Sequence, residues 1–317
     1  HSLNRVSQKK RHELKNLIPV IEKVKSTHNI REVIDVGGGV GHLSRILAGY
    51  FDLHSTCIDY NKDHLNRGRQ NLQKLRAPEQ DKINFVHMDI NKTPINEFNR
   101  IQNLFNRESF IVGLHSCGPL SVKLIKSIIH HKARGLINFG CCYLKCDPIS
   151  DINLSKHASE KPLTITSEGL TLATRAHTEL SRVDFDNKFR VKHHRYALHL
   201  FLYHELGQNK FLSVGDCNLS IYHESFSKYA RMKLKQHGFK HDFSDHYLDN
   251  FYKKNETLLK KMFLCNLVRW VFGRPLELYI LLDRVLYLQE HGYQTTINQY
   301  FDGKISPRNI GILSLYQ

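Results

Sequence analysis

Long apolar runs are missing from this chain of 317 residues. None reaches the ~18 consecutive residues a bilayer-spanning helix needs, so no membrane partner is expected. No signal peptide opens the sequence, and its first residue is His1 rather than Met, so an N-terminal segment is expected to be missing. The seven cysteines have no paired, regular spacing, which argues against a disulfide scaffold. A reducing compartment, cytoplasmic or nuclear, is the expectation. There is no internal repeat and no low-complexity tract. Acidic residues are also scarce: 46 Lys and Arg face 30 Asp and Glu, a formal charge of +16.

The basic excess is uneven. Residues 1–146 carry 23 Lys/Arg and 12 Asp/Glu, whereas residues 262–317 carry 5 and 4. An excess of this size favours a polyanionic partner, and RNA or a ribosome-associated substrate is the expectation. A solubilising basic surface is the plain alternative, and no stacking motif of the RNA-recognition type accompanies the charge.

What is present is a glycine-rich stretch. Val33-Ile34-Asp35-Val36 is a short β-branched apolar run, followed by Gly37-Gly38-Gly39 and Gly41. Leu43, Ile46 and Leu47 then take helical spacing, and a second apolar run ends in Asp59. Strand, glycine turn, helix, strand and acid make the first half of a nucleotide-binding βαβ unit. A dinucleotide fingerprint would need a glycine at 42, where the chain has His42. The D-x-G-x-G-x-G form from Asp35 to Gly41 instead resembles motif I of class I S-adenosylmethionine methyltransferases. A glycine turn without a ligand is the alternative. Candidate cofactor contacts are Asp35, Gly37, Gly38, Gly39, Gly41, His42 and Leu43, with Asp59 and Tyr60 at the ribose. Asp89 and Ile90, after the strand at about 83–88, would lie at the adenine.

Five strands alternate with helices up to about residue 140, which predicts an open parallel sheet covered on both faces. A basic amphipathic helix over 3–28 precedes them, and Lys9, Lys10 and His12 near its start are candidate substrate contacts. Arg76-Ala77-Pro78 is expected to break the helix that follows the second strand. From about 148 to 270 the pattern turns mostly helical. An apolar helix from Pro275 to Gln289 and two strands, about 293–300 and 308–316, then close the chain. The expected fold is α/β, a Rossmann-like seven-stranded class I methyltransferase sheet. The segments are 1–147 (N-terminal helix and donor-binding part), 148–270 (a mostly helical, substrate-binding insertion) and 271–317 (last helix and two final strands).

A second constellation follows the fourth and fifth strands: His115-Ser116-Cys117-Gly118 and Gly140-Cys141-Cys142-Tyr143. Both turns belong on the carboxyl edge of the sheet, where ligands bind. His115, Cys117, Cys141, Cys142 and Tyr143 are therefore the candidate catalytic residues, and His115 also borders the cofactor. Three readings stay open: buried cysteine filler, a substrate pocket, or metal and nucleophile chemistry. The spacing is poor for zinc, so no metal is assigned. The N-P-P-Y-type motif of adenine-N6 enzymes and the proline-cysteine signature of 5-methylcytosine enzymes are both absent. His115 is the side chain suited by type to act as a general base.

These residues carry a resemblance. Ser7 to Glu13, the glycine loop, Gly113 to Gly118 and Gly140 to Tyr143 are similar to the methyltransferase-like protein 25 family, as are Leu282 to Glu290 and Ile305 to Asn309. Some of its relatives are labelled ribosomal RNA adenine dimethylase domain-containing. The resemblance implies a seven-stranded, S-adenosylmethionine-binding fold. The histidine-cysteine-glycine turn with a double cysteine is also similar to the tRNA 2′-O-methyltransferase of the acceptor stem. Leu144 departs from the family pattern, which has histidine there in many relatives.

Overall fold

The computed structural model describes residues 6–75, 80–99, 104–140, 142–174, 180–240 and 242–317. Cys141 and the expected break at Arg76-Ala77-Pro78 lie outside them. Seven strands form one sheet: β1 (Glu32–Val36), β2 (His54–Asp59), β3 (Ile83–His87), β4 (Ser109–Ser116), β5 (Gly135–Gly140), β6 (Tyr293–Gln299) and β7 (Ile310–Tyr316). Their order is β3-β2-β1-β4-β5-β7-β6. β1 to β5 are parallel, and β7 runs antiparallel to both β5 and β6. This is the Rossmann-like class I methyltransferase sheet that the strand pattern predicted.

The alternation of side chains along each strand builds two cores. Val33, Phe110, Val112, Ile137 and Phe139 face α1 (Gln8–His28) and α2 (His42–Phe51), whose Leu14, Leu17, Ile21, Leu43 and Leu47 fill that layer. Ile34, Ile111 and Leu136 point the other way, onto Leu124, Ile125 and Ile128 of α4 (Pro119–His131) and Leu281 and Leu288 of α11 (Gly273–Glu290). Between these helices in sequence, α3 (Lys62–Leu75) packs Leu65 and Leu72 on Cys57 and Phe85.

The chain divides into two compact units, residues 1–178 with 272–317 and residues 179–271. The first includes α5 (Lys156–Glu160) and α6 (Ser167–Thr174), so the insertion expected to start at 148 begins about thirty residues later. The reason is packing against α11. Ile152, Leu170 and Ala173 bury against Tyr143 and Ile280. Asp283 of α11 accepts hydrogen bonds from Leu154 N (2.7 Å), Ser155 N (2.8 Å) and Ser155 Oγ (2.7 Å).

The second unit contains α7 (Arg182–Leu206), α8 (Phe226–Gln236), α9 (Asp245–Lys254) and α10 (Glu256–Val271). Its core joins Leu198, Phe201 and Leu202 to Tyr229, Leu234, Leu248 and Leu259. His193 of α7 is buried against Phe189, and burial pushes its pKa down to about 4.

Two outcomes follow from this packing. Asp283→Ala strips three donors of their acceptor and should cost about 3 kcal/mol, read as a lower denaturant midpoint. Between about pH 6.5, where an unfolded histidine titrates, and the folded value near 4, the unfolded chain holds the extra proton. Stability therefore falls as pH drops through that window, and His193→Phe should shrink the loss, measured as the change in midpoint from pH 7 to pH 4.5.

Candidate active site

The glycine loop joins β1 to α2 at the centre of the sheet. Gly41 sits at φ 73° as the cap of α2, and a Cβ there would come within 2.9 Å of Phe85. Gly38 has a different constraint: a Cβ would lie 2.6 Å from both Asp35 Oδ2 and Cys57 Sγ. Asp35 is buried beneath the loop and accepts a hydrogen bond from Ser44 Oγ (3.1 Å); burial pushes its pKa up. It thus ties the loop to the first turn of α2. Leu43 turns its side chain into the core. His42 meets Arg45 Nη2 through Nδ1 (2.6 Å), and burial, followed by the charge of Arg45, lowers its pKa to about 4.

Asp59 ends β2 and is buried. Its Oδ2 accepts from Gly39 N (3.0 Å) and its Oδ1 from Asn61 N (2.8 Å), so each oxygen keeps capacity for a further donor. It lines a shallow, open cleft of about 50 Å³ with Val36, Gly37, Ile58, Met88, Asp89 and Ile90, and Tyr60 also borders it. Apolar side chains between two carboxylates suit a nucleoside, whose ribose hydroxyls and base can meet the acids while its faces meet the apolar groups. Asp89 lies in the turn after β3 rather than at its end, with Oδ1 accepting from Asn91 N (3.1 Å). A larger cleft lined by Glu32, His54, Lys82 and Asn106 opens at the amino ends of β1 and β2, the edge opposite to where such sheets bind ligands.

The second constellation forms at the ends of β4 and β5. Ser116 pairs with Gly140 after a register shift that begins at Gly113. His115 lies in that irregular stretch at φ 81°, a conformation that costs about 1–3 kcal/mol for a residue with a side chain. Its Nε2 meets Glu13 Oε2 at 3.0 Å. Glu13 belongs to α1, is fully buried, and accepts from Ser306 Oγ (2.7 Å) through its other oxygen. Burial pushes the Glu13 carboxyl up, but the bonds from His115 and Ser306 outweigh it and hold the pKa below the usual value. A Cβ on Gly118 would come within 2.7 Å of Lys145 Cβ, so the two turns pack on each other. Cys117 and Cys142 are half-buried there.

Tyr143 occupies a different place. It is 1% exposed, with the Arg284 guanidinium 5.5 Å from its ring centre, and burial raises its pKa. It belongs to the packing beneath the turns, so the expected contact with an acceptor is corrected. Arg284, also 1% exposed, donates to Ser121 Oγ (3.0 Å). Leu144 is exposed, and its backbone N donates to Thr174 Oγ1 (2.9 Å).

Near the start of α1, the positive charge of Lys10 favours the ionised form of Asp35 and the neutral form of His42. Lys9 approaches Glu13 at 3.7 Å. His12 accepts from Asp302 N (3.0 Å) and packs edge-on to Phe301, so it anchors the loop before β7 instead of facing a substrate. Glu13, Ser306 and Arg284 were not singled out from the sequence. The available signal for Glu13 was an acid on the apolar face of a helix, four residues before Leu17 and eight before Ile21. Among the described residues, no group of three or more His, Cys, Asp or Glu is placed to hold a metal ion.

Residues 9–148 match a family model described as a methyltransferase domain. Among solved structures, the PH0226 protein from Pyrococcus horikoshii OT3 is similar at 16% identity, over 44% of this chain and 61% of that one, with a TM-score of 0.34. The chain thus spans less than two thirds of that protein's length. A putative caffeoyl-CoA O-methyltransferase from Staphylococcus aureus is similar at 10% identity, over 95% and 83%, with a TM-score of 0.37. The glycopeptide N-methyltransferase MtfA, complexed with S-adenosylmethionine, is similar at 14% identity, over 40% and 53%, with a TM-score of 0.30. These TM-scores all fall below 0.5. Residues 9–148, with the strand order and the glycine loop, thus form a methyltransferase domain of the S-adenosylmethionine-dependent type.

Gly38→Ala forces the loop away from Asp35 and Cys57. It should weaken S-adenosylmethionine binding at least about tenfold by calorimetry, with the circular dichroism of the fold retained.

Proposed function

We propose that this protein transfers the methyl group of S-adenosylmethionine to RNA, and that it is a member of the methyltransferase-like protein 25 family. The observation that carries the RNA reading is the position of its basic charge. Lys9, Lys10 and Arg11 open the helix whose next residue but one, Glu13, holds His115. Residues 1–146, which build the donor half, carry most of the excess positive charge. Phosphates flanking an acceptor nucleotide would be drawn to this edge.

The roles divide by position. Asp59 accepts from the ribose hydroxyls, Ile58, Met88 and Ile90 flank the adenine, and Asp89 receives its amine. Gly37 to Gly41 and Lys10 hold the methionine portion. Bound there, the sulfonium supplies an electrophilic methyl group. The protein then has to orient the acceptor in line and remove its proton. His115, on the turn beside the glycine loop, takes that role, with Cys117 and Cys142 shaping the acceptor side. The basic start of α1 holds the RNA backbone. A reducing compartment, cytoplasmic or nuclear, suits a chain that keeps half-buried thiols at its site.

Two measurements test this. Asp59→Ala should bind S-adenosylmethionine at least about tenfold more weakly than the native chain by calorimetry; equal affinities would remove the ribose assignment. Labelled S-adenosylmethionine, incubated with the protein and extract from cells that lack it, should yield label sensitive to ribonuclease. Label that survives nuclease in the protein fraction would instead identify a protein methyltransferase, and binding without any labelled fraction would identify a scaffold.

A further inference from the structure

Three distant segments meet at one buried carboxylate. Glu13 comes from α1, His115 from the end of β4 and Ser306 from the loop between β6 and β7. The same loop is clamped a second time by α1: Asp302 N donates to His12 Nε2, and Ser306 N donates to Asp302 O (2.8 Å). Among the described residues, the Lys or Arg within ion-pair distance of Glu13 is Lys9, at 3.7 Å. A buried carboxylate is unfavourable without hydrogen bonds, and this one has a separate donor for each oxygen.

The chemistry of those bonds fixes a proton. An ionised carboxylate only accepts, so the nitrogen facing it must carry the hydrogen. In neutral His115 that nitrogen is Nε2, which leaves Nδ1 as the basic one. His115 is one third exposed, so the ring is not sealed in the core. Its positive φ places it out of the strand's pleat, and an unusual backbone angle beside a ligand edge is a common mark of a functional position.

We propose that Glu13 is the positioning residue of this site. It holds His115 with Nε2 protonated, presents Nδ1 to the methyl acceptor, and neutralises the imidazolium that forms. The inference rests on the methyl-transfer reading above and narrows its acceptor. The acceptor atom carries a hydrogen at neutral pH, as a hydroxyl or an N–H does, and is not a carboxylate or a pyridine-type nitrogen. As its electron pair takes the methyl carbon, the carbon–sulfur bond breaks toward sulfur, which leaves as a neutral thioether. The acceptor's proton passes to His115 Nδ1.

The test uses the full chain with ¹⁵N-labelled histidine, the His115 signal being identified by its loss in His115→Asn. The ring shifts should report the Nε2–H tautomer in the native protein and a mixture in Glu13→Leu. Glu13→Gln can still accept from His115 through its carbonyl oxygen and donate from its NH2 to Ser306 Oγ, but it loses the charge. It should bind S-adenosylmethionine within about twofold of native and lose about 10²-fold in methyl transfer to RNA from cells lacking the protein. If Glu13 merely ties α1 to the sheet, Glu13→Gln will transfer at the native rate, and that result overturns the proposal. An Nδ1–H tautomer in the native protein overturns it too. The tautomer measurement needs no acceptor, so a failure of native protein to label RNA counts against the RNA reading and leaves the Glu13 result to stand or fall by itself.

Discussion

The parallel pairing of β1 with β4, and of β4 with β5, is the constraint on which the site depends. At β1 the strand order reverses: β2 and β3 lie on one side, β4 and β5 on the other. The connections leaving β1 and β4 therefore diverge to opposite faces, and a crevice opens between them at the carboxyl edge. The glycine loop, Asp59 and the His115 turn all emerge at this edge. The glycine loop's strand lies between the other two, about 5 Å from each, because hydrogen-bonded neighbours must.

Around that crevice the two sides are built differently. The donor side is made of backbone and short side chains. Asp35 is buried to hold the loop to α2, and Asp59 spends one hydrogen bond per oxygen on backbone while still lining the cleft. The acceptor side is made of turns packed on each other and on a polar core. Arg284, Ser121 and Tyr143 lie under the Gly140 and Gly118 turns, where a buried guanidinium and a buried phenol support the surface without reaching it. Placing Tyr143 at the acceptor from its sequence position failed for this reason. Three residues beyond the end of β5, a side chain can point into the crevice or beneath it, and the helical turn Tyr143–Lys145 sends it beneath.

Much of the sheet was legible. The strands expected at about 83–88, 293–300 and 308–316 run over Ile83–His87, Tyr293–Gln299 and Ile310–Tyr316. Buried parallel strands read as continuous β-branched runs, and the helices between them repeat at a different period. The insertion boundary was not legible. Residues 148–174 hold turns and two short helices, and Leu154 and Ser155 among them bond Asp283, about 130 residues away. No local pattern records a bond to so distant a carboxylate.

By itself the sequence determined the fold class, the strand succession and the methyl-donor loop, because each is written in contiguous residues: glycine spacing, apolar period, an acid at a strand end. The tertiary structure decided what surrounds the acceptor. The partners of Glu13 lie 102 and 293 residues away, and Glu13 on its own reads as one more charge on a basic helix. Its meaning comes from burial, which leaves a carboxylate no water to bond and obliges it to find the imidazole of His115 and the hydroxyl of Ser306.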